Sequence, residues 1–285
     1  MKIIISGKTG YLGSLISAEL NKKDHKVFGI TRKDLYGPIA KLAEKISGAD
    51  VIINLTGSTI LQRWTAKNKK MIYNSRVTTT KNLVLAIKCL PDKLKPKKFI
   101  SISAIGIYNS GLLHDEDSTS FDDGFVGTVV KNWEKQLDDL PESIHKVVFR
   151  TAIVLGKKSK TITNLLFPFK LGLGATIGNG KQPFPFVHES DVVRAFIWAV
   201  EELDRSDLFN LSAPERIDNK SFTKELASQL HRPALFFVPG FLLKILYGKA
   251  SVILISSPEI NAEKIRNAGF DFQYPDIKSA LKEII

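Results

Sequence analysis

Apolar positions run through the first 150 residues in two alternating rhythms. Short unbroken apolar runs, bounded by glycine or polar residues, read as buried strands at Lys2–Ser6, Lys26–Thr31, Val51–Leu55, Lys98–Ser103 and His145–Arg150. Between them, apolar residues recur at helical spacing over Tyr11–Asn21, Pro38–Ser47 (opened by its proline), Lys67–Leu90 (long enough to expect a kink) and Gly127–Leu140. Strands that alternate with helices in this way predict a parallel sheet covered on both faces. Right-handed crossovers then make it a doubly wound Rossmann sheet.

The second half is less regular. Glycine- and proline-rich loops fill Gly172–Pro185, a helix is expected over Asp191–Glu202, and a strand lies near Leu208–Leu211. Helices follow at Lys220–Leu230, Phe241–Tyr247, Ala262–Ala268 and Ile277–Ile285. No repeat or low-complexity linker divides the chain. The expected class is therefore α/β, with a nucleotide-binding domain over 1–155 and a smaller α/β lobe over 156–285 interwoven with it.

Composition removes several alternatives. The single cysteine, Cys89, permits no internal disulfide and reads as a small apolar residue. The opening MKIIISGKTG lacks the apolar length of a signal peptide, which points to a cytoplasmic protein. Phe236–Ile255 is the most membrane-like stretch, but Pro239, Gly240, Lys244, Gly248 and Lys249 break it, so no stable membrane insertion is expected. Net charge is +12, yet the lysines look scattered and are not interleaved with aromatics. They read as a solvated surface rather than a nucleic-acid site. No Cys/His cluster has metal-ligand spacing, so no metal is expected.

The first candidate chemistry follows the first strand, at Gly7-Lys8-Thr9-Gly10-Tyr11-Leu12-Gly13. Between a strand and a helix, three such glycines allow a tight turn, close approach of backbone amides to a diphosphate, and close helix–strand packing. Gly7, Thr9, Gly10, Tyr11, Leu12 and Gly13 are therefore candidate cofactor contacts, at the positive end of the helix. The second strand ends in Ile30-Thr31-Arg32-Lys33, where an NAD-binding protein usually carries an acid. A guanidinium there suits the 2′-phosphate of NADP(H), so Thr31 and Arg32 join the set and NADP(H) is the expected cofactor. Asp34, two residues on, is a poorer candidate for a ribose contact.

These glycines, with Asn54-Leu55-Thr56-Gly57, the run Ser101 to Tyr108 and Val187-His188-Glu189-Ser190-Asp191, resemble the extended short-chain dehydrogenase/reductase superfamily. The narrower match is to its atypical "epimerase family protein" group, also labelled cell-division-inhibitor-like. That resemblance rests on Arg63-Trp64-Thr65, Ser75-Arg76-Val77, Trp133-Glu134, Gly178-x-Gly180-x-Gln182 and Arg232-Pro233, and it covers essentially the whole chain. The tail from about 233 to 285 resembles a module particular to the group. The resemblance implies that Leu55, Thr56 and Gly57 line the cofactor, that Ser103 lies near the nicotinamide, and that Arg150 borders both. It also implies that His188 faces the cleft between the lobes.

One expected feature is absent. Active relatives carry Tyr-x-x-x-Lys on the helix after the serine strand, where the tyrosine moves a proton during hydride transfer. Counting back from Glu134 places Val126 and Val130 at these positions, and residues 109–140 contain no tyrosine. Lys131 lies nearby but about 100° around the helix. Ser103, Tyr108 and His188 are the candidate replacements, each with a plain structural alternative. Arg63, Trp64, Arg76, Gln182 and His188 are candidate substrate contacts, set against core packing and surface pairing. An adenine-contacting acid is not assignable, because no third strand is evident before Val51. Two functions stay open. One is an NADP(H)-dependent oxidoreductase or epimerase acting on a small, possibly sugar-like carbonyl or alcohol. The other is a non-catalytic NADP(H)-binding sensor or scaffold. Peripheral membrane or nucleic-acid association is a weaker third reading, and a homodimer is compatible with any of them.

Overall fold

A computed structural model describes residues 1–285. Its centre is a six-stranded parallel sheet built from β1 (Lys2–Ser6), β2 (Lys26–Ile30), β3 (Val51–Asn54), β4 (Lys98–Ala104), β5 (His145–Thr151) and β6 (Asp207–Leu211). The spatial order is β6-β5-β4-β3-β1-β2. Successive strands are added on opposite sides of β1, with β2 on one side and β3 on the other, so the crevice between the carboxyl ends of β1 and β3 is where a ligand is received in this class of fold.

Burial explains the strands. Ile3 and Ile5 point to one face, with Val51, Ile53, Ile100 and Phe149, under the helices Tyr11–Lys22 and Glu189–Glu201. Ile4, Ile52, Phe99 and Val148 point to the other, under Ile39–Ile46 and Thr79–Lys88. Alternating residues thus serve opposite cores, and the strands are apolar throughout because neither face sees water. A third core, around Phe169, Phe186, Phe222 and Leu281, belongs to the second lobe.

The two lobes exchange chain. Strand β6 comes from the second half and completes the first sheet, and Glu259–Ile260 pairs with Leu113–His114. No strand lies outside β2, so the sheet lacks the third strand that the sequence also failed to provide. The short strands Leu113–His114, Ile153–Leu155, Ala175–Ile177, Phe186–His188, Phe236–Val238 and Glu259–Ile260, two or three residues long, are too short to carry a periodic pattern. The expected kink after Lys67 is a π-helical turn, Asn74–Thr78, between the α-helices Ala66–Tyr73 and Thr79–Lys88. The second strand stops at Ile30, one residue early, because the Thr31 side chain accepts from the Asp34 amide and starts a short helix, Arg32–Leu35.

Asp191 fastens the tail to this frame. Fully buried, it accepts from the amides of Gln273 (2.7 Å) and Tyr274 (2.9 Å) and pairs with Arg194 at 3.2 Å. Replacing it with alanine strands two backbone donors. Asp191→Ala should therefore cost about 2–4 kcal/mol in urea unfolding and expose the segment after Phe270 to protease. Unchanged stability would contradict this role.

Candidate functional site

The glycine turn is built for close backbone approach. Gly7 sits at φ +81°, in the left-handed region. A Cβ on Gly13 would lie 2.1 Å from the Gly7 carbonyl oxygen, so only glycine lets the helix start against the strand. The helix Tyr11–Lys22 has Gly10 at its N-cap and no side chain capping it. Its first amides have no intrahelical partner and carry the positive end of the helix dipole. Thr9 and Gly10 are exposed at the turn, while Leu12 packs on the core. The residues present therefore fit a diphosphate. Across the turn, the Tyr11 hydroxyl donates to Glu189, and burial followed by that carboxylate pushes the phenol upward.

Two cations, Arg32 and Lys33, stand exposed at the end of β2. A third, Lys8, lies along the strand and is not among the expected cofactor contacts. Its side chain lies across Gly29, whose added Cβ would come within 3.1 Å of it, and its ammonium donates to the Val27 carbonyl at 3.0 Å. A lysine inside a glycine turn was the available signal. Asp34 is spent locally, on Lys45 and on the Thr31 hydroxyl and amide; these bonds hold its carboxyl down at about 2.

Beneath the crevice, a buried polar network joins the strand ends. Ser6 donates to Asn54 Oδ1 at 2.7 Å, and Asn54 Nδ2 donates to Thr80 (2.8 Å) and Ser101 (3.3 Å). Trp133 donates to Thr80, and Thr56 to Ser6. Leu55 and Thr56 are thereby held at the mouth, with the Leu55 carbonyl against Gly7.

The expected proton donors meet a different fate. Ser103 donates to Glu134 Oε1 at 2.5 Å, and Glu134 pairs with Arg150 through Nε (3.0 Å) and Nη2 (2.7 Å). Arg150 donates to the Tyr108 hydroxyl at 2.8 Å, and Tyr108 donates to Asn210 at 2.8 Å. Tyr108 is 2 % exposed and stacks on His114, so it does not enter the cleft; burial raises its phenol. His188 is corrected likewise. It is fully buried, caps the helix Glu189–Glu201 by accepting from the Ser190 amide, and meets Glu283 at 3.0 Å under the ring of Tyr274. Val126 leans on Gly106, where an added Cβ would lie 2.7 Å from it, and Val130 is buried in the core. A cavity of about 600 Å³ opens behind Glu134 and Arg150, lined also by Phe121 and Lys131, but no residue of the glycine turn reaches it.

The candidate substrate contacts also divide. Arg63 donates to the carbonyls of Ile245 and Leu246, closing the helix Gly240–Tyr247. Trp64 donates to Ile60 and packs edge-on against Phe125. Gln182 ties Ile177 to Leu254. These three hold loops together. Arg76 differs: it sits on the π-turn against Gly57, over the Trp133 ring, and donates only to carbonyls, at Ser58 (3.0 Å) and Ile72. With no carboxylate beside it, burial pulls its guanidinium down to about 10.

A doubly wound parallel sheet with an uncapped glycine turn at its switch point defines a Rossmann-type protein with the fold of the nucleotide-sugar epimerases. The NAD dependent epimerase/dehydratase family matches residues 3–125, and a domain of unknown function (DUF1731) matches residues 238–284. The epimerase family protein SDR39U1 of Mus musculus is 30% identical over the full length of both chains, and YfhF of Bacillus subtilis (strain 168) is 31% identical over all of this chain and 98% of its own. The chain belongs to this group of epimerase family proteins. The crystal structure of human SDR39U1 (isoform2) with NADPH superposes with a TM-score of 0.92, at 30% identity, over 100% of this chain and 99% of that one. UDP-N-acetylglucosamine 4-epimerase from Bacillus cereus shares the fold, with a TM-score of 0.78 at 16% identity, over 100% and 98% of the two chains.

The ion pair at the centre of the site gives a direct test. Glu134→Gln leaves Arg150 buried without a countercharge, so urea unfolding should show a loss of about 3 kcal/mol. A loss below about 1 kcal/mol, the scale of an exposed pair, would contradict the network.

Proposed function

We propose that this chain binds NADP(H) in the crevice between β1 and β3. The reading rests on one observation: an uncapped helix start that only glycine permits, flanked by cations and no free acid at the end of β2. On this reading the first-turn amides and Gly7–Gly13 hold the diphosphate. Arg32 and Lys8 meet the 2′-phosphate, and Leu55, Thr56 and Gly57 line the ribose side. The human relative solved with NADPH supports the choice of cofactor.

A nicotinamide supplies hydride chemistry when bound; the proton must come from the protein. Here valines stand at the tyrosine and lysine positions, and Tyr108 and His188 are spent in the interior. This supports a protein that holds the dinucleotide, as a redox sensor or scaffold. The second reading, reduction or epimerisation of a small carbonyl or alcohol, is supported by Ser103. That hydroxyl, buried at the end of β4, donates to Glu134; it can accept from a substrate alcohol as it stands, and it donates to a carbonyl only by releasing Glu134. Arg76 then supplies a cation for an anionic group of that substrate.

Calorimetric titration tests the binding that both readings share. NADPH should bind more tightly than NADH, and Arg32→Ala should weaken NADPH roughly tenfold or more while leaving NADH unchanged, as loss of a charge-assisted phosphate contact requires. Lys8→Ala should act in the same direction. Equal affinity for both dinucleotides, or for neither, refutes the proposal. NADPH oxidation across a carbonyl panel, abolished in Ser103→Ala, would decide for turnover.

A further inference from the structure

Counted alone, the basic residues look scattered; the acids are what is segregated. Residues 51–78, 151–188 and 226–258 contain 13 lysines and arginines and no aspartate or glutamate. The other 186 residues hold 28 lysines and arginines against 29 acids. The whole net charge of +12 therefore resides in three stretches.

The fold knits these stretches into one region. Arg63 bonds to Ile245 and Leu246, and Lys160 to Thr59. Arg232 bonds to Lys170, and Ala175–Ile177 pairs with Phe236–Val238. Of the 13 cations only Lys157 has an acidic partner within 4 Å, namely Glu283.

This region also carries the most exposed of the large apolar side chains. Leu235 is 84% exposed, Phe167 71%, Phe237 68% and Ile245 62%. In the helix Gly240–Tyr247 only Leu243 is buried; Phe241, Leu242, Ile245 and Leu246 face outward around Lys244. A soluble monomer scatters such residues singly, whereas here they are contiguous in sequence and joined through the Ala175–Ile177 pairing.

We propose that this face, centred on Phe236–Val238 and the helix Gly240–Tyr247, docks on an anionic lipid bilayer. The apolar side chains enter the boundary between headgroups and acyl chains, and Lys244, Lys249, Lys170 and Arg232 meet the lipid phosphates and anionic headgroups. Charge selects this occupant. A two-fold dimer through the same face would set the acid-free region against itself, cation to cation. Nucleic acid would meet the charge but would desolvate leucine and isoleucine side chains against a polar backbone.

The test uses the full chain and two vesicle types, pure phosphatidylcholine and phosphatidylcholine with about one-third phosphatidylglycerol. Sedimentation should recover roughly tenfold more protein with the anionic vesicles, and salt should release part of it. Phe237→Glu/Ile245→Glu should abolish recovery with unchanged thermal unfolding, since both side chains are exposed. Lys244→Glu/Lys249→Glu should reduce recovery by roughly tenfold or more and weaken the salt effect. Equal, weak recovery with both vesicles at low salt overturns the proposal. So does sedimentation velocity showing a dimer that Phe237→Glu/Ile245→Glu dissociates, which assigns the face to a second copy. Retention of that double variant on DNA at the wild-type level, with neither protein held by vesicles, overturns it in favour of nucleic acid.

Discussion

The carbonyl of Gly7 and the α-carbon of Gly13 stand so close that no side chain fits between them, and the rest of the site follows from that approach. It fixes where the first helix begins relative to the first strand. It leaves the first-turn amides directed at the crevice and brings the Leu55 backbone onto the opposite side of the turn. The hydrogen-bonded tier of Ser6, Asn54 and Thr80 holds the neighbouring strand ends in register beneath it. An anion received there meets a structure already paid for in folding, which is what preorganisation means physically.

One strand along, polar groups satisfy one another. Ser103, Glu134, Arg150, Tyr108 and Asn210 form a continuous buried chain of hydrogen bonds from β4 to β6. Within it Arg150 is neutralised by Glu134, and the Tyr108 hydroxyl both donates and accepts. Such a chain is costly to open, because every member left unpaired is desolvated. Val126 and Val130 fill the adjoining space with hydrocarbon.

What was legible in the sequence was local. The glycine turn, the central strands and the absence of a strand before Val51 each depend on neighbours within a few residues, and the fold bears them out. Side-chain direction was not legible where the partner is remote. Tyr108 meets a residue 102 positions away, Arg63 one 182 away, and His188 one 95 away. Each is a plausible cleft residue until the second lobe folds back and claims it. Arg76 shows the converse: its lack of an acidic partner is visible only in three dimensions, although the long acid-free run around it is plain in the sequence.

The bare flank of β2 has a consequence for the protein's behaviour when crowded. With no strand beyond it, Lys26–Ile30 leaves one flank open to any extended chain that drifts alongside, except at the Val27 carbonyl, which Lys8 occupies. The Thr31 side chain ends that opportunity after five residues by turning the backbone into a helix, and Lys26 puts a charge at the other end. A template so short offers too few ladder bonds to seed a growing stack. A capping hydroxyl thus sets the length of the open margin, and with it how much backbone a neighbouring chain can pair with.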